Sequence, residues 1–435
     1  MWDVKKAFMR TFESLRVRNY RLFFSGQIVS WTGTWVQWVA QGWLVLRITD
    51  SGLGLGLVTA FQWLPVLLFG VWGGVLADRF DKRRLLIFTN GAAGVLSLIL
   101  GLVTLAGAVT LWIVLAVALA LGLVTALDNP TRQTFTLEMV GRDRLTNAVS
   151  LNTATFTTAR VLGPTIAGFL IAGVGIGPCF LLNAASVVPV MFALLFMDKT
   201  KLTPTDRVEQ RRGQVREGLR YVAGLPVLRT LLTIMAVVGT LQYNFQVILP
   251  VLARETFDGD ARTLGFLGTA LGIGMFAGSL TNAAFGRPAR SLLIGAGLAL
   301  GGFSLLVAVS PSLWPAALLL IPLGAASMAF LSTMNSTLQL SASDQMRGRV
   351  MALYFVLFLG STPIGAPIIG WIAESFSPRA ALAFGGIATI ATCLYGWLKL
   401  PSALLLSEED EGLVRTQREH LEPAEAEGLA QTGNA

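Results

Sequence analysis

Apolar runs of about twenty residues recur along this chain between short polar stretches. Each run has the length of one helical crossing of a bilayer. Read on that criterion, the spans are Leu22–Leu46, Leu53–Leu76, Leu85–Ala106, Leu111–Leu127, Asn147–Val174 and Pro178–Met197, then, after a polar middle stretch, Val227–Ala253, Leu264–Phe285, Leu292–Val309, Leu313–Leu338, Val350–Glu374 and Ala380–Leu398. The connections alternate in charge. Those after the even-numbered spans carry Arg79 and Lys82 to Arg84, then Arg132, Arg142 and Arg144, the basic middle stretch, Arg287 and Arg290, and Arg347 and Arg349. The opposite connections carry only Arg47, Arg254, Arg262 and Arg379. Cation-rich loops stay in the cytoplasm, so both termini are expected there.

Composition agrees with a chain mostly in lipid. Hydrophobic residues make up 54% and charged residues 13%, against about a quarter charged in soluble domains. The net charge of +8 is accounted for by loops and termini, so no nucleic-acid partner is expected. Two cysteines in apolar runs and a single histidine in the polar tail imply no disulfide framework, metal site or cofactor. No cleavable signal peptide is expected at the basic, mixed amino terminus. The expected organisation is a basic amino-terminal segment (1–21) suited to the membrane surface, a six-helix bundle (22–197), a middle loop (198–226), a second six-helix bundle (227–399) and an acidic tail (400–435). Within the middle stretch, Val208 to Tyr221 has the pattern of an amphipathic surface helix.

The two halves repeat weakly. Leu55-Gly56 opens the second span and Leu264-Gly265 the eighth. Gly163-Pro164-Thr165-Ile166-Ala167-Gly168 in the fifth matches Gly365-Ala366-Pro367-Ile368-Ile369-Gly370 in the eleventh. The order of such matches along both halves signals two parallel six-helix repeats, the construction of a rocking-bundle transporter.

The stretch Gly74-Val75-Leu76-Ala77-Asp78-Arg79-Phe80-Asp81-Lys82-Arg83-Arg84 reads as a tight basic hairpin, and it resembles the signature between helices 2 and 3 of the major facilitator superfamily. That pattern usually has glycine where this chain has Asp81. Asp128-Asn129-Pro130-Thr131-Arg132-Gln133, Arg160-Val161-Leu162-Gly163-Pro164 and Met346-Arg347-Gly348-Arg349-Val350-Met351 are similar to the exporter branch that includes the enterobactin exporter and macrolide efflux proteins. The resemblance implies an all-α membrane protein of twelve transmembrane helices in two pseudo-symmetric six-helix bundles. It implies a monomeric, multi-pass protein of the plasma membrane, bacterial inner membrane by this branch, that exports amphipathic small molecules by alternating access. It implies an antiporter with the proton as coupling ion, working in the lipid bilayer without a cofactor.

It also implies site residues. Gly74, Asp78, Arg79, Arg83 and Asp128 would form a cytoplasmic gate lock that holds the outward-open state, Asp78 meeting the positive end of a facing helix. Arg160, Gly163, Pro164 and Gly168 resemble the helix-5 motif of export antiporters, where small residues allow close approach. Arg160 lies about 20 Å into its span at 1.5 Å per residue, so it needs a cavity or a partner; a substrate contact and a structural arginine both fit. In this fold helices 1, 4, 7 and 10 line the cavity, which makes Gln27, Trp31, Thr34, Trp38, Gln41, Gln242, Tyr243, Asn244, Gln246 and Asn335 candidate substrate contacts beside Arg160. No Asp or Glu lies deep in an expected span, so the proton carrier is not evident; Asp128 is the first choice.

Two other readings compete. One is import of a small metabolite on the same fold. The other is a polytopic membrane enzyme, which would need paired carboxylates or a His/Asp cluster at a membrane face; no such catalytic set stands out. An ATP-driven pump would need a Gly-Lys-Ser/Thr phosphate loop, which the chain lacks.

Overall fold

The computed structural model describes residues 12–203, 214–285, 289–343 and 345–401, apart from the side chains of Val71, Asp78, residues 214–216 and 283–285, and Leu359. The acidic tail, Arg287, most of the basic amino-terminal segment and most of the basic middle stretch lie outside the described residues.

The first half consists of α1 (Arg18–Thr49), α2 (Gly52–Arg79), α3 (Lys82–Leu105), α4 (Leu111–Val140), α5 (Arg142–Val174), α6 (Gly177–Ser186) and α7 (Val188–Leu195). A short helix, α8 (Gln214–Gly224), precedes the second half. That half holds α9 (Pro226–Leu241), α10 (Phe245–Val251), α11 (Ala261–Phe285), α12 (Arg290–Ala308), α13 (Leu313–Ser341), α14 (Arg347–Leu359), α15 (Thr362–Ser375) and α16 (Pro378–Lys399). Among the described residues, eleven helices or helix pairs are long and apolar enough to cross a membrane. At 32 residues, α1 also has the length, and it completes twelve. It is less apolar because Gln27, Ser30, Gln37 and Gln41 interrupt it, all four buried. Helices in lipid keep polar side chains on faces turned to other helices.

Three spans are broken. The sixth divides into α6 and α7 at Val187, just before Pro189. The seventh divides at Gln242–Asn244 and ends in a π-helical turn, Leu252–Thr256. The eleventh divides at Gly360–Ser361. Elsewhere helices outrun the apolar runs. α4 continues thirteen residues past Leu127 to Val140, and a single residue, Gly141, at φ 74°, turns the chain into α5. Arg132 is therefore inside α4, not in a loop. The basic hairpin is likewise shorter than its sequence suggests: α2 is helical through Arg79, leaving only Phe80 and Asp81 as the turn. Asp81, where the signature has glycine, caps α3 by accepting the Arg84 N–H at 2.8 Å, a cap that side chain makes well.

The described part of the amino-terminal segment folds back on α5 and not outward onto a surface. The Ser14 hydroxyl donates to Asn147 Oδ1 at 2.7 Å and the Ser14 N–H does so at 3.0 Å. Of the expected amphipathic stretch Val208–Tyr221, the described portion belongs to α8. It docks on the second half through an ion pair of Glu217 with Arg349 and a hydrogen bond from the Ser343 N–H to the Tyr221 hydroxyl at 3.1 Å.

The halves meet along two helix pairs, α2 with α15 and α5 with α11. These contacts repeat each other. A Cβ on Gly52 would press on the Gly370 carbonyl and one on Gly56 on that of Ala366. A Cβ on Gly168 would press on the Ala261 carbonyl and one on Gly265 on that of Pro164. Gly52 stands four residues before Gly56 as Ala261 stands before Gly265, so the internal sequence repeat is used as two equivalent interfaces.

Candidate functional site

The end of the molecule opposite the basic hairpin, which holds the α1–α2, α5–α6 and α15–α16 turns and is here the far end, is closed by polar contacts between halves. Asp50 ends α1 in the left-handed region at φ 50°, and Ser51 caps α2, its hydroxyl accepting the Gly54 N–H at 2.9 Å. Glu374, in the last turn of α15, accepts the Ser51 hydroxyl at 2.5 Å and the Leu53 N–H at 2.9 Å. A carboxylate at a helix N-terminus meets both free N–H groups and the positive end of the helix dipole. Beside it Arg254, in the π-helical turn, pairs with Asp50 and donates to the Leu46 carbonyl. On the other helix pair, the hydroxyls of Thr165 and Thr269 are hydrogen-bonded at 2.6 Å.

Towards the basic end the halves part. The α5–α11 contact reaches Val161 and Gly272; beyond it, Thr158 and Ala154 on α5 and Phe276 on α11 are exposed. On the other pair the contact reaches Leu67 and Gly360, while a Cβ on Gly74 would meet nothing within 4 Å.

Between the halves lies a cavity with about 580 Å³ of empty space, counting that at its mouth. Trp35 and Trp38 of α1, Arg160 and Pro164 of α5, and Phe245 and Gln246 of α10 line it, with leucines and glycines of α11. The Arg160 guanidinium lies over the Trp35 ring, 5.3 Å from its centroid. Trp35 and Trp38 stand edge to face at 4.8 Å, and Trp31 packs on Phe156 at 5.5 Å. Gly163 makes room for Trp35, because a Cβ there would lie 2.3 Å from the Trp35 Cβ. The helix-5 motif thus serves two contacts: Gly163 seats α1, while Pro164 and Gly168 seat α11.

Of the candidate substrate contacts, Trp38 and Arg160 line this cavity. Others are engaged elsewhere. Gln27 accepts from Arg132. The Thr34 hydroxyl donates to its own helix at Ser30. Gln41 donates to Gln62 at 3.2 Å and Gln242 to Ser304 at 2.5 Å. Asn244 donates to the Thr240 carbonyl at 2.7 Å, and Asn335 accepts from Gln339 at 2.6 Å. Gln246, expected on the seventh span, also lines the cavity, whereas Trp35 and Phe245 were not among the expected contacts. Trp35 shares the stripe of Trp31 and Trp38 at i+4 and i+7 spacing, which was the available signal.

The residues expected to form a gate have separate surroundings in this conformation. Asp128 pairs with Arg132 one turn along α4 and accepts from Thr89 Oγ1 at 2.7 Å and Asn90 Nδ2 at 3.3 Å. Arg132 also reaches Gln27 of α1, so three helices share one polar network. Arg79 is exposed, and the Asp78 side chain lies outside the described residues. Lys82 pairs with Glu138 at 2.6 Å. Arg83 is buried and donates to the carbonyls of Leu194 and Leu195 at the end of α7.

Comparison with known proteins gives a consistent picture. The profile of a family described as transmembrane secretion effector matches residues 9–422. The Staphyloferrin A transporter of Staphylococcus aureus (strain NCTC 8325 / PS 47) is 25% identical over 404 residues, 90% of this chain and 99% of that one. The enterobactin exporter EntS of Shigella flexneri is 25% identical over 378 residues, 85% of this chain and 89% of its own. Among solved structures, a bacterial homologue of the human lysosomal transporter Spinster, inward-facing and unoccupied, superposes with a TM-score of 0.67 at 16% identity, covering 89% of this chain and 96% of that one. The nucleoside transporter NupG gives 0.70 at 11% identity, covering 88% and 98%. At these identities the structural likeness establishes the fold.

Proposed function

This chain belongs to the transmembrane secretion effector family, a branch of the major facilitator superfamily, and from that premise we propose that it exports amphipathic, drug-like or siderophore-like small molecules from the cytoplasm by alternating access. The observation that carries the reading is the cavity between the halves, sealed at the far end by Glu374 and Arg254 and lined by aromatic and apolar side chains. A mainly apolar pocket with a few polar groups suits an amphipathic ligand. The cations of the basic end orient that end to the cytoplasm, which makes this the inward-open state, ready to load from within. The relatives named for staphyloferrin A and enterobactin support a siderophore-like cargo.

The proton is the proposed coupling ion, with Asp128 as its carrier. Asp128 sits well within α4, mostly buried, and its partner Arg132 touches α1. Protonation would release Arg132 and so bear on the helix that carries Trp35 and Trp38. The protein acts as a monomer in the bacterial inner membrane with both termini inside.

Inverted membrane vesicles from a host stripped of its own exporters test this. Energised vesicles carrying the protein should accumulate a labelled siderophore or macrolide, and a proton uncoupler should abolish the accumulation. Asp128→Asn should leave downhill flux but remove its dependence on the pH gradient. Accumulation only in right-side-out vesicles would replace export with import.

A further inference from the structure

We propose that the cavity holds an anion-binding subsite built on Arg160 and Trp35, and that the transported molecule is an amphiphile bearing a carboxylate. The inference rests on the cavity being the transport site and adds the charge of what it takes.

Arg160 is half-buried between the halves and stacks on Trp35. Among the described residues its guanidinium has no hydrogen-bond or ion-pair partner; the Tyr243 hydroxyl near it is engaged with the Ser327 carbonyl at 2.8 Å. Trp35 is 8% exposed, and its indole N–H is buried without an acceptor. Two donor-only groups therefore stand side by side with nothing to donate to. Among the described residues no Asp or Glu lines the cavity, and its wall adds Gln246 as a polar side chain. A cation left unpaired in such surroundings is costly, and a ligand carboxylate answers the guanidinium that Trp35 holds by its ring. A guanidinium lying over a ring keeps its N–H edges available for the paired, bidentate contact that carboxylates make. The remaining wall, with Trp38, Phe245 and Leu249, is apolar and takes the body of the molecule. A cationic amphiphile, by contrast, would meet the Arg160 charge with no counter-charge to offset it.

The test uses the whole protein in nanodiscs of neutral lipid, with calorimetric titration by three probes of one shape: 2-naphthoate, 2-naphthamide and 2-naphthylmethylammonium. Naphthoate should bind about tenfold or more tighter than the amide, the range expected for a charged hydrogen-bonded contact, and the ammonium should bind weakest. Arg160→Gln should bring naphthoate and amide to within about twofold while the amide still binds, which also shows that the variant is folded. Arg160→Lys should restore part of the preference, and Trp35→Phe should cost naphthoate a few-fold and the amide little. Equal binding of naphthoate and amide by the unmodified protein, or a preference that survives Arg160→Gln, would overturn the anion subsite while leaving the transport reading in place. A naphthoate preference that depends on Arg160, found together with absent vesicle flux, would support the subsite and count against transport.

Discussion

Glu374 of one half accepts the hydroxyl of Ser51 of the other at 2.5 Å, and through the Leu53 N–H at 2.9 Å it caps the first turn of α2. The logic expected of Asp78 at the basic end, a carboxylate set against the N-terminus of a facing helix, is thus realised at the opposite end by a different residue. The contact is exposed, so it contributes about 0.3–1 kcal/mol. Glu374→Gln should shift the conformational balance about two- to fivefold towards closure of the basic end. The two native cysteines are buried, so spin labels at Val149→Cys and Leu340→Cys, both exposed sites near the basic end, can report it. A growing population at shorter distance is expected; an unchanged distribution would remove Glu374 from the latch.

Glycines on the two ends of α2 should act in opposite directions. A Cβ on Gly56 would lie 2.4 Å from the Ala366 carbonyl, whereas one on Gly74 would meet nothing within 4 Å. Gly56→Val therefore obstructs the present conformation and Gly74→Val does not. If Gly74 is a gate residue, its substitution obstructs the alternative state, in which the basic ends meet. Both variants should lose flux. The label pair should report shorter distances for Gly56→Val and longer ones for Gly74→Val. Shifts of the same sign would exclude Gly74 from the gate.

Much of this fold was legible because lipid imposes a simple demand: about twenty apolar residues per crossing and cations between crossings. The repeat of Gly56 and Gly265 was legible too, since helices that touch need small residues in the same register. The occupants of the cavity were less so. Helical spacing puts Gln27, Thr34, Trp38 and Gln41 near one face of α1, but it does not say which neighbour lies there. Arg132 and Gln62 take two of them and Thr34 bonds back to its own helix, leaving Trp38 with Trp35. The latch was hidden for another reason. Arg254 was legible as a cation between spans and Glu374 as the end of one, but the pairings of Arg254 with Asp50 and of Glu374 with Ser51 join positions more than two hundred residues apart, and no local pattern encodes that.

Asp128 and Arg132 should be strongly coupled in stability. Both side chains are mostly buried, and removing one member of such a pair leaves an uncompensated charge, at a cost of about 3–5 kcal/mol. Asp128→Asn and Arg132→Gln should each lower the thermal unfolding temperature in detergent. The double variant should lose clearly less than the two single losses combined. Additive losses would mean that Asp128 is held chiefly by Thr89 and Asn90, and would weaken its candidacy as a proton carrier that acts on Arg132.

Arg83 and Arg79 stand four residues apart in the basic signature, yet their surroundings separate them. Arg83 is 8% exposed and donates to Leu194 and Leu195, at 3.0 Å for the latter. Its charge therefore sits at the negative end of α7, against carbonyls that the helix itself cannot satisfy. All of these contacts lie within one half, so they persist whichever way the halves rock. Arg83→Ala should cost about 1–3 kcal/mol of stability, the price of a charged hydrogen bond with its acceptors left buried. It should leave the distribution between the Val149 and Leu340 labels unchanged. Arg79→Ala, at an exposed position on the end that must close, should do the reverse: little loss of stability and a shift away from the state with closed basic ends. A conformational shift in Arg83→Ala without loss of stability would return Arg83 to the gate.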